Sequence, residues 1–319
     1  MRQSIEVVCA GIIVADHVCT PIARLPAAGE LILAERLMLT LGGCAANVAV
    51  DLSKMEGKAA VVGRVGDDIF GRVVSEMLKE EHVDASGILV TANCDTSQTL
   101  IVNVQNEDRR FIHSFGANAE FRAQDIPQDL VRNCQVLYLG GYLLMEKLHQ
   151  DDLIPIFAAA RESGAKTVLD VVTPGPAHYL PKLESLLQYV DVFMPNELEG
   201  QLITGEADPL KQAEIFRKLG VGTAIVTLGS GGAVVVSKEG RFRSATYQVP
   251  FVDGSGGGDA FAAGYIYGLL KKMSAEDCLR YASALGASCV RAIGTTTGVF
   301  KKSECEAFVR EHSLKIEKI

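Results

Sequence analysis

From Val136 onward the chain alternates two periodicities with a regularity that few folds accommodate. Apolar runs of strand length at 136–139, 167–172, 191–194 and 223–228 are separated by helix-like runs at 149–163, 180–189, 197–204 and 209–219. Strands separated by helices of this length are the sequence form of βαβ units, whose strands lie parallel in one sheet with helices on its faces. The N-terminal third feeds the same pattern through a β-branched run from Val7 to Ile13, a helix from Ala45 to Met55, a strand at 58–65 and a helix at 70–81. The tail adds β-rich pieces over 232–249 and two apolar helices, 259–272 and 275–293. Two stretches interrupt the alternation, 17–41 and 97–115. The second reads as a hairpin, 99–104 and 110–115, turning at Asn106-Glu107-Asp108. Neither stretch could bury both faces alone, so the two are expected to share a small sheet against the main body. A sheet beside an α/β crevice is well placed to act as a lid. Without a linker, repeat or low-complexity segment, residues 1–319 are expected to form one α/β domain with these two insertions.

Composition narrows the functions open to such a domain. Acidic residues outnumber basic ones, 39 to 31, for a formal charge of −8, and no run of Lys and Arg exceeds two. That argues against a nucleic-acid partner. The eight cysteines form no CxxC pair and are irregularly spaced, so neither a zinc site nor a disulfide framework is expected. The N-terminal residues carry no apolar leader run, and the longest apolar stretch, Ala260 to Leu270, is far short of the roughly 18 residues a membrane span needs. A cytoplasmic setting without a membrane partner follows as the expectation.

The 31 glycines gather in short clusters. The strongest is Val252-Asp253-Gly254-Ser255-Gly256-Gly257-Gly258-Asp259-Ala260-Phe261, which runs from a β-rich segment straight into an apolar helix. Bare glycines let backbone N–H groups approach a ligand. A helix N-terminus adds unsatisfied donors and partial positive charge, so this segment suits an anion such as phosphate. Asp259 would lie where the phosphoryl group is held and could accept a proton from an attacking hydroxyl. The same residues also fit a plain glycine turn with Asp259 as a favourable helix-start charge. No GxxxxGK[ST] segment exists, and no GxGxxG follows the first strand.

A second cluster, Leu41-Gly42-Gly43-Cys44-Ala45-Ala46-Asn47, again opens a helix, with Asn47 one turn in offering donor and acceptor to hydroxyls. Tight helix–sheet packing is its other reading. Asp16, read here as the end of strand one, could accept two hydroxyls or simply serve a turn. Thr227-Leu228-Gly229-Ser230-Gly231-Gly232 follows a strand and fits either a phosphate contact or a hairpin. Asn196-Glu197-Leu198-Glu199 follows the 191–194 strand, where carboxylates face the crevice of an open sheet and could organise Mg²⁺ through water, or begin a helix.

Taken together and in this order, these segments resemble the ribokinase/PfkB family of carbohydrate and nucleoside kinases over essentially the whole chain. Gly42-Gly43…Asn47, running on to Gly63-Arg64-Val65-Gly66-Asp67-Asp68-Ile69-Phe70-Gly71, is similar to the family's N-terminal signature. Asp253–Asp259 is similar to its C-terminal signature, DTxGAGD; Asn196–Glu199 to its NxxE motif; and Thr227…Gly229…Gly232 to its nucleotide loop. The resemblance implies a three-layer α/β/α domain with a mostly parallel sheet and a β lid, and transfer of the ATP γ-phosphoryl to a hydroxymethyl group of a small sugar. It implies Asp259 as catalytic base, with the Gly256, Gly257 and Gly258 amides as anion hole. It puts Asp16, Gly42, Gly43 and Asn47 at the substrate. Asn196, Thr227, Gly229, Gly232 and the segment ending at Ser288 fall on the ATP side, with Mg²⁺ organised by Glu199. Many members also use K⁺, with the Asp253 position contributing, and dimerise through the lid. Two residues depart from the signature: Gly254 replaces the usual Thr and Gly257 the usual Ala. The lost hydroxyl removes a ligand to cation or phosphate, and the third consecutive glycine raises the entropy of ordering the loop.

Three alternatives share these residues. A nucleoside kinase would want a stacking platform, and 17–41 contains no Phe, Tyr or Trp. A phosphosugar kinase would want a cation in the lid, for which Arg24, Arg36, Arg109 and Arg110 are candidates. A non-catalytic sugar-binding protein would have no use for Asp259 or for the Asn196…Glu199 pair.

Overall fold

The computed structural model describes residues 4–105, 107 and 109–319. Asn106 and Asp108 of the expected hairpin turn, and Met1 to Gln3, lie outside the described residues. In chain order the elements are β1 (Val7–Gly11), β2 (Val14–Ile22), β3 (Leu37–Gly42), α1 (Cys44–Lys54), β4 (Ala59–Gly66), α2 (Ile69–Glu80), β5 (Asp84–Thr91), β6 (Gln98–Val104) and β7 (Arg110–Ser114). They continue with α3 (Gln128–Asn133), β8 (Val136–Gly140), α4 (Gln150–Glu162), β9 (Lys166–Leu169), α5 (Glu184–Leu187), β10 (Val192–Phe193), α6 (Glu197–Thr204), α7 (Pro209–Lys218), β11 (Thr223–Thr227), β12 (Ala233–Ser237) and β13 (Gly240–Ser244). Helices α8 (Gly257–Leu270), α9 (Ala275–Cys289) and α10 (Lys302–Glu311) and strand β14 (Ile316–Lys318) close the chain.

Ten strands form one sheet in the order β14-β13-β12-β11-β10-β9-β8-β1-β4-β5. The seven from β11 to β5 pair in parallel, and β12, β13 and β14 extend the edge antiparallel. β1 and β8 are buried at every position, as apolar strands covered on both faces must be. The sheet is larger than the sequence suggested. Gly87 interrupts the strand pattern of β5, and α10 and β14 lie in a polar tail, so none of the three carries a clear periodic signal.

The expected helix 180–189 is shorter than read. Pro181 confines the start to a 3₁₀ turn, and only a single α-turn, α5, follows. The expected helix 275–293 stops at Cys289. The carbonyl of Val290 there accepts from Val252 and Asp253 N–H instead of continuing the helix, and Gly294 N–H donates to Asp253.

The two interrupting stretches do meet in a second sheet, of order β3-β2-β6-β7. This sheet begins earlier than expected, at Val14. Asp16 therefore stands in the middle of β2, paired with Thr40 and Thr99, and not at the end of strand one. The chain leaves the large sheet at Ile12–Ile13, where Asn118 clamps Ile13 by accepting from its N–H (3.2 Å) and donating to its carbonyl (3.0 Å). The second half of the N-terminal signature ties down the start of β6 and the turn before α3. Asp68 caps α2 at Gly71 N–H (2.8 Å) and accepts from the Thr96 N–H (2.8 Å) and hydroxyl (2.6 Å), while Arg64 forks onto Asp125 with two contacts of 2.7 Å. Among the described residues no helix is long and apolar enough to cross a membrane.

Candidate active site

The 253–259 segment turns sharply into α8. Gly256, at φ +77°, is the cap residue; a Cβ there would stand 2.1 Å from the Thr295 carbonyl, so only glycine fits. No side chain caps this helix, which leaves its first N–H groups directed out of the helix end. Beyond the first turn α8 is buried through Gly268. Gly264 and Gly268 lie against Tyr281, Ala282 and Cys278 of α9, so the helix is fixed rigidly behind its N-terminus.

Asp259, in the first turn, accepts a 2.8 Å hydrogen bond from Asn47 Nδ2. Asn47 is itself locked, because its Oδ1 accepts from the Thr295 hydroxyl (2.9 Å), which also bonds the Leu41 carbonyl (2.7 Å). The two glycine clusters, 212 residues apart at this contact, thus meet at one carboxylate. Burial pushes the Asp259 pKa up, and hydrogen bonds from Asn47 and Cys44 oppose that rise. Further acids stand around it. The Cys44 thiol and the Asp170 and Asp259 carboxylates lie within 4.8 Å of one another. Asp170 is held by the Tyr138 hydroxyl (3.1 Å) and the Val171 N–H (2.8 Å) and is raised well above the usual range by burial and by Glu199 and Asp259. Glu199 is raised to about 7, mainly by burial and with Asp259 adding to it.

Asp16 is 5% exposed, and its pKa is raised to about 7 by burial and by the charges of Asp259 and Asp253, against a hydrogen bond from Thr99. Gly42 makes that position available: a Cβ on it would lie 2.0 Å from Asp16 Oδ2.

Two cavities of about 590 Å³ each meet the N-terminus of α8. The lid-side cavity is lined by Asp16, Gly43, Asn47, Ser255, Gly256 and Asp259, and by Phe111, His113 and Phe115 of the β7 region. The helix-side cavity is lined by Thr227, Gly229 and Gly232, by Gly257 and Gly258, and by Tyr247, Phe251, Ser283, Gly286 and Ala287. Arg109 lines both.

Some expected residues fall elsewhere. Ser288 does not line the helix-side cavity. It is fully buried, with its hydroxyl donating to the Leu285 carbonyl (2.7 Å) and accepting from Phe300 N–H (3.1 Å); Ser283, Gly286 and Ala287 face the cavity instead. Asn196 and Glu199 line neither cavity and form a reciprocal capping box on α6, each side chain accepting the other's N–H at 2.9 Å. An isolated bridge sets Asn196 beside Thr227. Asp253 accepts from Ser255 N–H (2.9 Å) and Gly294 N–H (3.1 Å), tying the glycine turn to the 294–295 loop.

Residues not singled out from the sequence complete the site: Thr295, Cys44, Asp170, and Phe111, His113 and Phe115 in and just after β7. Asp170 follows directly on β9, and the rule placing functional groups at strand C-termini could have found it. Thr295 carried no local signal.

A family model described as pfkB family carbohydrate kinase matches residues 4–302. A ribokinase of Haemophilus influenzae is 28% identical over 98% of this chain and 100% of its own length. An aminoimidazole riboside kinase of Salmonella typhimurium is 27% identical over 86% of this chain and 89% of its own. The structure of Arabidopsis thaliana ribokinase complexed with ribose and ATP aligns with a TM-score of 0.81 at 25% identity, covering 97% of this chain and 99% of that one. The chain belongs to the PfkB family of carbohydrate kinases, and its fold is the ribokinase-like α/β/α sandwich with a small second sheet.

Proposed function

We propose that the protein transfers the γ-phosphoryl group of ATP to a hydroxymethyl group of a small sugar or sugar derivative bound beneath the second sheet, which acts as its lid. The observation that carries this reading is Asp259, held by Asn47 at the uncapped N-terminus of α8 where two cavities meet. The lid-side cavity would take the acceptor, with Asp16, Gly43 and Asn47 at its hydroxyls and Gly42 giving Asp16 its room. The helix-side cavity would take ATP along Thr227, Gly229 and Gly232, with Asn196 behind them. Asp259 removes the hydroxyl proton as the acceptor oxygen bonds to the γ-phosphorus and the bond to the β-phosphate oxygen breaks. The Gly256, Gly257 and Gly258 amides receive the charge on the phosphoryl oxygens.

Mg²⁺ fits beside Asp170 and Glu199, hard-oxygen groups whose charges repel one another. Glu199 already accepts from Asn196 and Thr173 N–H, so it would hold the ion through water. When bound, the ion neutralises phosphate charge. K⁺ fits less well. Both Asp253 oxygens serve loop N–H groups, and Gly254 brings no hydroxyl. Turnover is therefore expected to be the same in Na⁺ as in K⁺ buffers, and a strict K⁺ requirement in steady-state assays would contradict this.

One observation favours a second acceptor class. The first insertion has no Phe, Tyr or Trp, but Phe111 and Phe115, with His113, bring aromatic rings into the lid-side cavity from the second. A planar group on the sugar, as in a riboside, has a stacking surface there. A coupled ADP-release screen over sugars, sugar acids, phosphosugars and nucleosides tests the reading. Acceptor-dependent ADP supports it. Silence across the panel, with a sugar raising the melting temperature, would favour a non-catalytic binder.

The outer face of the lid exposes Leu37, Leu100 and Ile112, on strands whose pairing sets them opposite the site face. Pairing of two lids would cover them, and a homodimer is expected by light scattering. A monomer at micromolar concentration would contradict it.

A further inference from the structure

Arg109 is the one described residue that lines both cavities. It precedes β7 in the lid, yet its side chain reaches the glycine turn that opens α8. A Cβ on Gly254 would stand 2.4 Å from Arg109 Nη1 and 3.2 Å from its Cζ. Gly254 is the position where this chain departs from its family's signature by lacking a threonine, and the space a side chain would take there is filled by a guanidinium. The nearby base, Asp16 and Asp253 make this end of the site acidic, which favours a cation at the junction. On the lid side the same guanidinium lies 5.5 Å from the Phe111 ring centroid, a contact that orients it along the cavity wall.

We propose that Arg109 is a catalytic residue, carried by the lid, that contacts the phosphoryl group in transfer from the side of Gly254. This rests on the kinase reading above. As the acceptor oxygen bonds to phosphorus and the bond to the β-phosphate oxygen breaks, negative charge spreads over the three equatorial phosphoryl oxygens. A planar guanidinium can donate two parallel hydrogen bonds to two of them. The α8 amides approach from the helix side, so cation and amides would bracket the group. The assignment also gives Gly254 a reason: any side chain there would displace Arg109. It couples chemistry to the lid as well, because the cation arrives on the strand region that supplies Phe111 and His113 to the acceptor cavity.

The test uses the full-length enzyme with the best acceptor from the ADP-release screen. Arg109→Ala is expected to lower kcat by about 10²-fold, the scale of one lost transition-state donor, with KM for ATP and acceptor within threefold of wild type. Guanidinium chloride at tens of millimolar is expected to recover at least tenfold of that loss. A merely structural role would not give this rescue. Gly254→Ala is expected to lower kcat about tenfold in the wild-type background and to add nothing in the Arg109→Ala background. Retention of kcat within threefold in Arg109→Ala, or a loss without rescue and with equal additive effects of the two substitutions, would overturn the proposal and leave the kinase reading intact. Absence of acceptor-dependent ADP from the wild-type enzyme would overturn the kinase reading, and this proposal with it.

Discussion

Asp259→Asn is expected to lower kcat by about 10³-fold while leaving ATP affinity within twofold of wild type. The substitution keeps size and shape. It also keeps an oxygen to accept from Asn47, whose own position is secured by Thr295, so the site around residue 259 should survive. What is lost is the only feature the reaction needs from the side chain, a basic oxygen that accepts the hydroxyl proton. Burial raises the Asp259 pKa, and the base works only when ionised, so wild-type kcat/KM is expected to fall as pH drops through that raised pKa. The variant's residual kcat/KM should lose this limb and keep only the one that ionisation of Asp16 imposes on acceptor binding. Near-wild-type turnover in Asp259→Asn by ADP release would remove Asp259 from the mechanism.

Asp16→Asn is expected to act in opposite directions on activity and stability. Two hydroxyls on one carboxylate make two charge-assisted hydrogen bonds, and an amide offers one neutral acceptor. A loss of about 10³-fold in kcat/KM for the acceptor follows, with ATP binding unchanged. Stability moves the other way. The folded-state pKa of Asp16 is raised to about 7, above its unfolded value. Neutral Asp16 therefore stabilises the fold fully below the unfolded pKa, and that contribution is lost as pH rises through about 7. Asparagine stays neutral throughout. The ligand-free variant should match wild type near pH 4 and melt higher at pH 8, by about 5 °C for a buried carboxylate in a domain of this size. Equal melting temperatures at pH 8 would show that Asp16 ionises in the fold without cost.

The candidate site was legible where chemistry and backbone geometry coincide, and obscure where phase or a bend decides. The Gly256–Asp259 turn could be read because a cap at positive φ, bare amides and a first-turn carboxylate leave a mark in one short segment. Asp16 was misplaced because the β-branched run continues through Ile12 and Ile13 into β2, and the bend between the sheets is held by Asn118, 105 residues away. Ser288 failed by helix phase. Ser283, Gly286, Ala287 and Val290 lie at i, i+3, i+4 and i+7 along one face, and the next residue after Ala287 points to the core. The Asn196–Glu199 pair shows a local requirement and a family motif written in the same letters, since a helix start wants this capping box whether or not a metal is near. Gly254 could be flagged from sequence as a departure but not explained, because its neighbour Arg109 comes from the distant segment that leads into β7.

The most direct test of the central claim is the phosphorus NMR spectrum of the product formed from ATP and the preferred acceptor. The account predicts one phosphomonoester per ADP, its phosphorus coupled to the two protons of a methylene carbon, and none formed by Asp259→Asn on the same time scale. Coupling to a single methine proton would contradict transfer to a hydroxymethyl group. Inorganic phosphate without any acceptor ester would contradict transfer to a sugar altogether.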